Sequence, residues 1–261
     1  MSSIRNMSFV VVLVAVSICF CEISMAMTGK EIVEKAQKSQ IGESFRAALE
    51  IETFHGNKRV SQHSLWVMGQ VEKDNTVVFI DFSEPEDSKG VRILCHLNPD
   101  KDPEGYMYLP ATDEAFRIDV KDPATDIGGT GLTMADFQPL IPEKGETETL
   151  LREEDVDGIP CYVVQISAPG SKEARLVWIT KDSFDLVKLE QKGSDGKVQR
   201  AMRVAEFFTT KEGKRYPRQE EITLPAKNIK IKVRQDNAVF GIVIPEELTN
   251  PATFGKFKWQ I

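Results

Sequence analysis

The sequence predicts a mainly β protein whose strands form one strongly curved antiparallel sheet with few helices. About a dozen short segments alternate apolar with polar residues, which is the period of a half-buried strand. Turn-forming connections such as 193–196 (GSDG) and 211–214 (KEGK) join consecutive segments as hairpins. Helical periodicity is confined to three stretches. A βαβ fold is therefore disfavoured, and a barrel or a strongly curved sheet is favoured.

The first predicted element is a helix that begins at Thr28. Thr28 and Glu31 have the spacing of a capping box, in which the hydroxyl accepts from the Glu31 N–H and the carboxylate reaches back. One apolar stripe follows, and it predicts that the helix packs on another element. The stripe consists of Ile32, Val33, Ala36 and Ile41.

The predicted strands begin after this helix, where the hydrophobic period changes to that of a strand. The clearest is 228–235, in which Ile229, Ile231 and Val233 alternate with basic residues. The later helical stretches are 125–141 and a short turn near 245. No repeat or linker divides the chain, so 27–261 is predicted to be a single domain. The other predicted strands are 45–52, 64–72, 76–82, 91–97, 105–110, 115–120, 147–156, 161–168, 174–180, 186–191, 199–208 and 218–224.

Residues 1–26 have the three parts of a secretory signal peptide. Arg5 supplies the positive region, 8–20 is mostly apolar, and small residues precede a predicted cleavage after Ala26. An uncleaved anchor is the alternative, but the apolar run is shorter than the roughly 18 to 20 residues of a spanning helix. Lipidation is disfavoured because Cys19 and Cys21 follow large residues. The mature chain is therefore expected to be soluble.

Charge and cysteine content limit the partners. The formal net charge is −7, which argues against a nucleic-acid partner because phosphates require a basic surface. Cys95 and Cys161 remain after cleavage, each inside an apolar strand-like run. Two buried free thiols are favoured, and a disulfide is the alternative.

The glycine-rich stretch 127–137 (IGGTGLTMADF) raises the question of a phosphate site. It lacks the lysine and hydroxyl of a phosphate-binding loop and has no parallel sheet around it, so that interpretation is disfavoured. Thr133 and Asp136 are interpreted instead as a capping pair that starts a short helix. The glycines supply positive φ and close backbone approach.

No catalytic or metal-binding motif is evident. His55 and His63 flank a turn and can face each other across a hairpin, but two imidazoles without a third ligand make a weak metal site. His96 and Cys95 lie on opposite faces of one strand and cannot chelate jointly. No serine has nucleophile-elbow spacing, and the acidic clusters are typical of solvated turns. The sequence therefore predicts a non-enzyme without a cofactor.

The central block resembles the LolA-like group of periplasmic outer-membrane lipoprotein-sorting proteins, in the branch found beside RND or MMPL-type exporters. That pattern contains a proline before a Lys-Gly step, a Tyr-Leu-Pro strand end, an Arg-Ile pair and a segment leading into a short acidic helix. The later strands 174–207 are similar as well. The matching positions are Pro85, Lys89, Gly90, Tyr108, Leu109, Pro110, Arg117, Ile118, Gly129, Thr130, Thr133, Asp136 and Phe137.

The resemblance implies an incomplete antiparallel β-barrel, a half-barrel, wrapped around helices that plug and lid a hydrophobic cavity for acyl chains. On this basis 127–137 is the lid segment, with Gly128, Gly129 and Gly131 as its hinge. Gly131 and Leu132 replace an aspartate and an aromatic residue of the family pattern, and Met134 replaces a tyrosine.

The candidate cavity residues are apolar side chains on strand faces opposite the charged ones, together with apolar residues near the lid. Ordinary core packing is the alternative for each of the strand residues. Arg117 is the candidate latch that holds the lid closed, and a surface ion pair is its alternative. The candidates are Leu49, Ile51, Leu65, Val67, Phe79, Ile93, Trp178, Ile229, Ile231 and Val233 on strands, with Met107, Leu132, Met134 and Phe137 near the lid.

Three functions are compatible with the sequence. The favoured one is a periplasmic carrier, in a Gram-negative bacterium, that shields the acyl chains of a lipid or lipoprotein on the way to the outer membrane. Its partners would be an RND or MMPL-type inner-membrane transporter or an outer-membrane acceptor. The alternatives are a lipid-sensing adaptor that binds a membrane protein, and a secreted hydrolase, which the missing nucleophile motif disfavours.

Overall fold

The computed structural model describes residues 27–40, 44–72, 75–98, 101–120, 125–137, 139–211, 213 and 215–258. The predicted signal peptide and Ile41 lie outside these residues. No helix within these ranges is long and apolar enough to cross a membrane.

The observed strands follow the predicted segments closely. Helix α1 spans Gly29–Gln40, α2 spans Met134–Phe137, α3 spans Glu246–Thr249, and a 3-10 turn covers Pro225–Lys227. The strands are β1 Ser44–His55, β2 Lys58–Glu72, β3 Asn75–Glu84, β4 Arg92–Leu97, β5 Glu104–Leu109, β6 Glu114–Ile118, β7 Thr147–Val156, β8 Ile159–Ser167, β9 Ala174–Thr180, β10 Leu186–Lys192, β11 Val198–Thr209, β12 Arg215–Leu224 and β13 Ile229–Phe240.

All of these strands belong to one antiparallel sheet in the order β6-β5-β4-β3-β2-β1-β13-β12-β11-β10-β9-β8-β7. Two meanders, β1 to β6 and β7 to β13, are joined where β1 pairs with β13, for example Ile51 opposite Val233. The edge strands β6 and β7 do not pair, so the sheet stays open. The predicted half-barrel architecture is confirmed.

This topology determines where the middle of the chain lies. The two edge strands are consecutive in sequence, so residues 119–146 connect one edge of the sheet to the other. The connection contains α2 and contributes Ile127, Leu132, Met134 and Leu140 to the main core cluster. The face of the sheet that this connection covers is called the inner face below.

Helix α1 packs on the inner face against β7, β8 and β9. The predicted capping box is confirmed, because the Thr28 N–H donates to Glu31 Oε2 (2.8 Å) and the Glu31 N–H donates to Thr28 Oγ1 (3.2 Å). The stripe residues Ile32, Val33 and Ala36 are all buried. The amphipathic pattern therefore placed this helix correctly.

The outer face of β2 to β5 is covered by the C-terminal segment 242–257. Ile244, Leu248 and Phe254 pack there against the sheet in a separate apolar cluster. Arg92 holds the segment because its guanidinium donates to the carbonyls of Phe254 (2.9 Å) and Phe257 (2.7 Å). These strands are consequently buried on both faces.

Candidate functional site

A cavity of about 180 Å³ lies between the inner face and the lid segment, defined here as residues 125–141. Its wall is mainly apolar, as is typical of sites that hold apolar ligands. Strands from both meanders contribute, so the sheet must curve around the cavity. The apolar wall consists of Phe45, Leu49, Val67, Val78, Leu186, Leu189, Met202, Tyr216, Ile222, Val233 and Phe240 on the sheet, and Leu132, Ala135, Phe137 and Pro139 in the lid segment.

The cavity is small and only partly enclosed. An apolar cavity of about 150 Å³ in another protein accommodates a guest of the size of benzene. The volume found here, about 180 Å³, therefore suits a guest of that order and is small for a long acyl chain. A longer chain would extend beyond this volume.

Five of the predicted cavity residues line the cavity: Leu49, Val67, Leu132, Phe137 and Val233. Others pack in the main core cluster without lining it, namely Ile51, Leu65, Ile93, Met107, Met134, Ile229 and Ile231. The prediction missed wall residues such as Leu189, Met202 and Tyr216. For Leu189 the signal was present in the period-two pattern of β10, because it lies between Lys188 and Glu190. Met202 and Tyr216 each have a basic residue on one side and an apolar residue on the other, so their pattern is weaker.

Phe79 and Trp178 do not face the cavity, contrary to the prediction. Phe79 packs on the outer face with the C-terminal segment. Trp178 belongs to another cluster, in which its Nε1–H donates to Glu154 Oε1 (3.0 Å) and the Lys188 ammonium lies 4.0 Å from its ring centroid. Both residues lie in strands with consecutive buried apolar positions, where alternation does not indicate the inner face.

The glycine turn of the lid segment is tied by hydrogen bonds. Asp126 accepts through Oδ1 from the Gly129 N–H (2.6 Å) and through Oδ2 from the Gly131 N–H (2.8 Å). The sheet contributes a further bond, because the Thr53 hydroxyl donates to the carbonyl of Thr130 (2.8 Å). The turn is thus fixed at this end of the lid segment.

Gly128 illustrates why this turn needs glycine. Its φ is +63°, and a Cβ at this position would lie 2.5 Å from Cζ of Phe82, a side chain that is 1% exposed. We therefore expect Gly128→Ala to lower the free energy of unfolding by about 2 kcal/mol, because it combines left-handed strain with a steric conflict. Urea denaturation measures the change.

The matched control for that variant is Gly145→Ala. Gly145 also has a positive φ, +88°, but a Cβ added to it would meet no other atom within 4 Å. The difference between the two variants isolates the conflict with Phe82. Equal losses of stability in the two variants would contradict the argument from close packing.

The predicted capping pair at the start of α2 is confirmed. Asp136 Oδ2 accepts from the backbone N–H of Thr133 (2.7 Å) and from its hydroxyl (2.9 Å). The same carboxylate receives a second set of bonds from Arg200 on β11. The Arg200 guanidinium donates to both oxygens of Asp136 (2.9 and 2.5 Å) and to the carbonyl of Gly131 (3.1 Å).

Arg200 therefore occupies the position that the sequence assigned to Arg117. Arg117 forms an ion pair with Glu104 (3.6 Å), and its side chain is 61% exposed, as the surface alternative expected. The Arg200 side chain is only 9% exposed and bridges the inner face to the lid segment. The contact expected of Arg117, an arginine that donates to a carbonyl of the lid segment, is therefore made by Arg200 on a different strand.

A second arginine holds the far end of the lid segment. Arg175 on β9 donates to the carbonyls of Pro139 (3.3 Å) and Ile141 (3.0 Å), and it forms an ion pair with Glu146. Gln37 of α1 donates to the carbonyl of Leu140 (2.9 Å). The short helix α2 is thus held between two arginine contacts.

Glu220 is an unusual member of the cavity wall. It is a half-buried residue of β12 that borders the cavity among apolar residues. Burial, followed by the charge of the Asp136 carboxylate, raises the pKa of Glu220 from 4.5 to about 7. Within the part of the chain that the structure describes, no side chain forms a hydrogen bond or ion pair with its carboxyl group.

The remaining candidate groups show no catalytic arrangement. Cys95 and Cys161 are free and buried, as predicted, and burial raises the pKa of the Cys95 thiol to about 12. His55 lies opposite Lys58 and His63 lies opposite Ile51, so the two imidazoles do not face each other. Burial lowers the pKa of His63. Among the described residues, no group of three or more His, Cys, Asp or Glu side chains is placed to hold a metal.

Several solved structures have a fold similar to that of this chain. A DUF1329 family protein from Desulfovibrio piger has a TM-score of 0.75 at 17% identity, covering 85% of this chain and 95% of its own. A domain from Vibrio parahaemolyticus, described as an outer membrane lipoprotein-sorting protein, has a TM-score of 0.75 at 17% identity, covering 87% and 97%. A LolA superfamily protein from Nitrosomonas europaea has a TM-score of 0.64 at 18% identity, covering 86% and 98%.

The open sheet, the lid segment and these likenesses define a protein with the LolA-like half-barrel fold. A family model described as "Uncharacterized protein" matches residues 73–254, more than half of the chain, and the chain belongs to that family. No curated protein matches the sequence.

Proposed function

We propose that this protein is a carrier that shields the acyl chain of a lipid or lipoprotein in the cavity, without covalent chemistry. The observation that carries the proposal is an apolar cavity between a lid segment and the inner face of an open half-barrel. Such a site can bind an apolar chain and release it when the lid segment moves. The fold that this chain shares with a lipoprotein-sorting domain supports the proposal.

The energy of binding comes from burial of the chain. Each buried methylene contributes about 0.8 kcal/mol. Opening the lid segment breaks the contacts of Arg200 and Arg175 described above, so part of this energy offsets the cost of opening. A longer chain offsets that cost better than a short one, which favours lipids over small apolar molecules.

The proposed location is the periplasm, reached through the predicted signal peptide at 1–26. Cargo would arrive from an inner-membrane transporter of the RND or MMPL type and would leave to an outer-membrane acceptor. A non-catalytic role agrees with the buried Cys95 thiol, whose raised pKa makes it a poor nucleophile.

A charged residue in the cavity tests the proposal. We expect wild-type protein purified from its own envelope fraction to carry a lipid or acylated peptide, seen by native mass spectrometry. The Phe137→Lys variant should lose it, because Phe137 lines the cavity and an ammonium group there opposes an apolar chain. Phe137 is only half-buried, so the variant is expected to fold.

The matched control is Phe116→Lys on edge strand β6, where Phe116 is 43% exposed. This variant should retain the bound lipid. Organic extraction then identifies what was bound. A wild-type protein that shows only its own mass after gentle isolation, and that also fails to bind added lipid, would refute the carrier proposal.

A further inference from the structure

We infer that Glu220 selects the cargo, so that the cavity prefers an amphiphile with a hydroxyl or amino group at the end of its apolar chain and disfavours an anionic one. This inference rests on the proposed carrier function. It concerns the polar end of the cargo, whereas the carrier proposal concerns only the apolar chain.

Glu220 lies among apolar residues of the cavity wall. In the sheet it lies opposite Val204 of β11 and Val233 of β13, and Tyr216 and Ile222 of its own strand also line the cavity. Glu220 is half-buried, and its apolar neighbours limit the water that can reach its carboxyl group. A polar group placed there without a protein partner gains strongly from a ligand that supplies one.

The other charged groups at the cavity are already paired with each other. Asp136 in the lid segment is bound by Arg200, and Arg175 in the wall is bound by Glu146. Each of these arginines is therefore already neutralised by a carboxylate. Among the described residues of the wall, Glu220 is the one carboxyl group without such a partner, and its pKa is raised by burial and by Asp136.

The position of Glu220 and the pairing of the other charged groups determine which polar end of a ligand fits the cavity. The other polar groups in the wall, Gln70, Thr76, Gln191 and Gln235, are uncharged. The net charge at the cavity is therefore zero or negative, depending on the state of Glu220. A hydroxyl group donates a hydrogen bond to the carboxyl, an ammonium group adds an ion pair with the carboxylate, and a carboxylate or phosphate is repelled.

Three ligands with the same chain test the inference: decylamine, 1-decanol and decanoate. Isothermal titration calorimetry at about pH 8, where most of the Glu220 carboxyl is ionised, compares the wild type with Glu220→Gln and Glu221→Gln. Glu221 is the matched control because it follows Glu220 directly but forms an ion pair with Lys230 (3.1 Å). The Phe137→Lys variant shows whether binding occurs in the cavity.

For the wild type we expect decylamine to bind most tightly and decanoate most weakly. Glu220→Gln should weaken decylamine about tenfold and strengthen decanoate, since the charge is removed while a hydrogen-bonding amide remains. Glu221→Gln should keep the wild-type order. Equal affinities for the three ligands, or an unchanged order in Glu220→Gln, would overturn the inference and leave the carrier proposal intact. Absence of binding for all three would overturn both.

Discussion

Replacement of Arg200 by leucine should lower the free energy of unfolding by about 3–5 kcal/mol, the cost of leaving one member of a buried ion pair without its partner. The Arg200 and Asp136 side chains are 9% and 14% exposed, so water cannot replace the lost guanidinium easily. The change also removes the bond to the carbonyl of Gly131. Urea denaturation followed by circular dichroism measures the loss.

The same variant should release the lid segment before the protein unfolds as a whole. Amide hydrogen exchange is expected to speed up in residues 129–137, where the contacts of Arg200 lie, and to change little in β7 and β8. If the carrier proposal is correct, bound lipid should also exchange faster. This second measurement separates a latch from a residue that supports only global stability.

Arg117→Leu is the control for Arg200→Leu, because it removes the same guanidinium from an exposed pair. Its effect on the free energy of unfolding should be within about 0.5 kcal/mol. The double variant Arg200→Leu with Asp136→Leu should recover part of the loss, since no charge is then left unpaired. A larger effect at Arg117 than at Arg200 would contradict the assignment of the latch.

The fold was largely predictable because its local signals agree. In β13 the strict alternation of Ile229, Ile231 and Val233 with basic residues indicated a strand with one buried face, and the structure confirms it. The capping box at Thr28 and the apolar stripe of α1 were equally direct. Such signals depend on neighbours within a few residues, which a sequence displays.

The orientation of some strands was less predictable. In β3 the consecutive residues Val78, Phe79 and Ile80 are all buried, because the lid side and the C-terminal segment cover opposite faces. A strand that is apolar on both faces carries no alternation that identifies the inner one. The cover comes from a segment more than 160 residues away, as the bond from Arg92 to Phe254 shows.

The latch was missed for a related reason. Arg200 and Asp136 are 64 residues apart, and Arg200 lies in a strand whose basic residues resemble those of a solvated face. Arg117 was chosen because it is close to the lid segment in sequence. Proximity in space depends on the pairing order of the whole sheet, in which β11 lies beneath the lid segment and β6 forms an edge.

The free energy of unfolding should depend on pH through the ionisation of Glu220. The pKa of this carboxyl is 4.5 in an unperturbed chain and about 7 in the folded protein. Well below pH 4.5 the group is protonated in both states, and its burial in neutral form carries no ionisation penalty. As the pH rises toward 7, the unfolded chain ionises first, so the folded state loses stability relative to it.

This loss should total about 3–4 kcal/mol, since each unit of pKa difference corresponds to about 1.4 kcal/mol. Glu220→Gln cannot ionise, so the free energy of unfolding of the variant should exceed that of the wild type by a margin that grows across this interval and then levels off. Urea denaturation at several pH values measures the margin. Glu221→Gln, whose carboxylate faces Lys230 instead of the cavity, should show no comparable growth.

The outcome also bears on how the cavity works. A margin that grows with pH would establish that the cavity holds a carboxyl in a water-poor environment when closed, which is the condition for selecting a donor group on the cargo. A constant margin would mean that water reaches Glu220 freely through the open side of the sheet. In that case the lid segment would not seal the cavity, and acyl chains bound there would remain partly exposed to water.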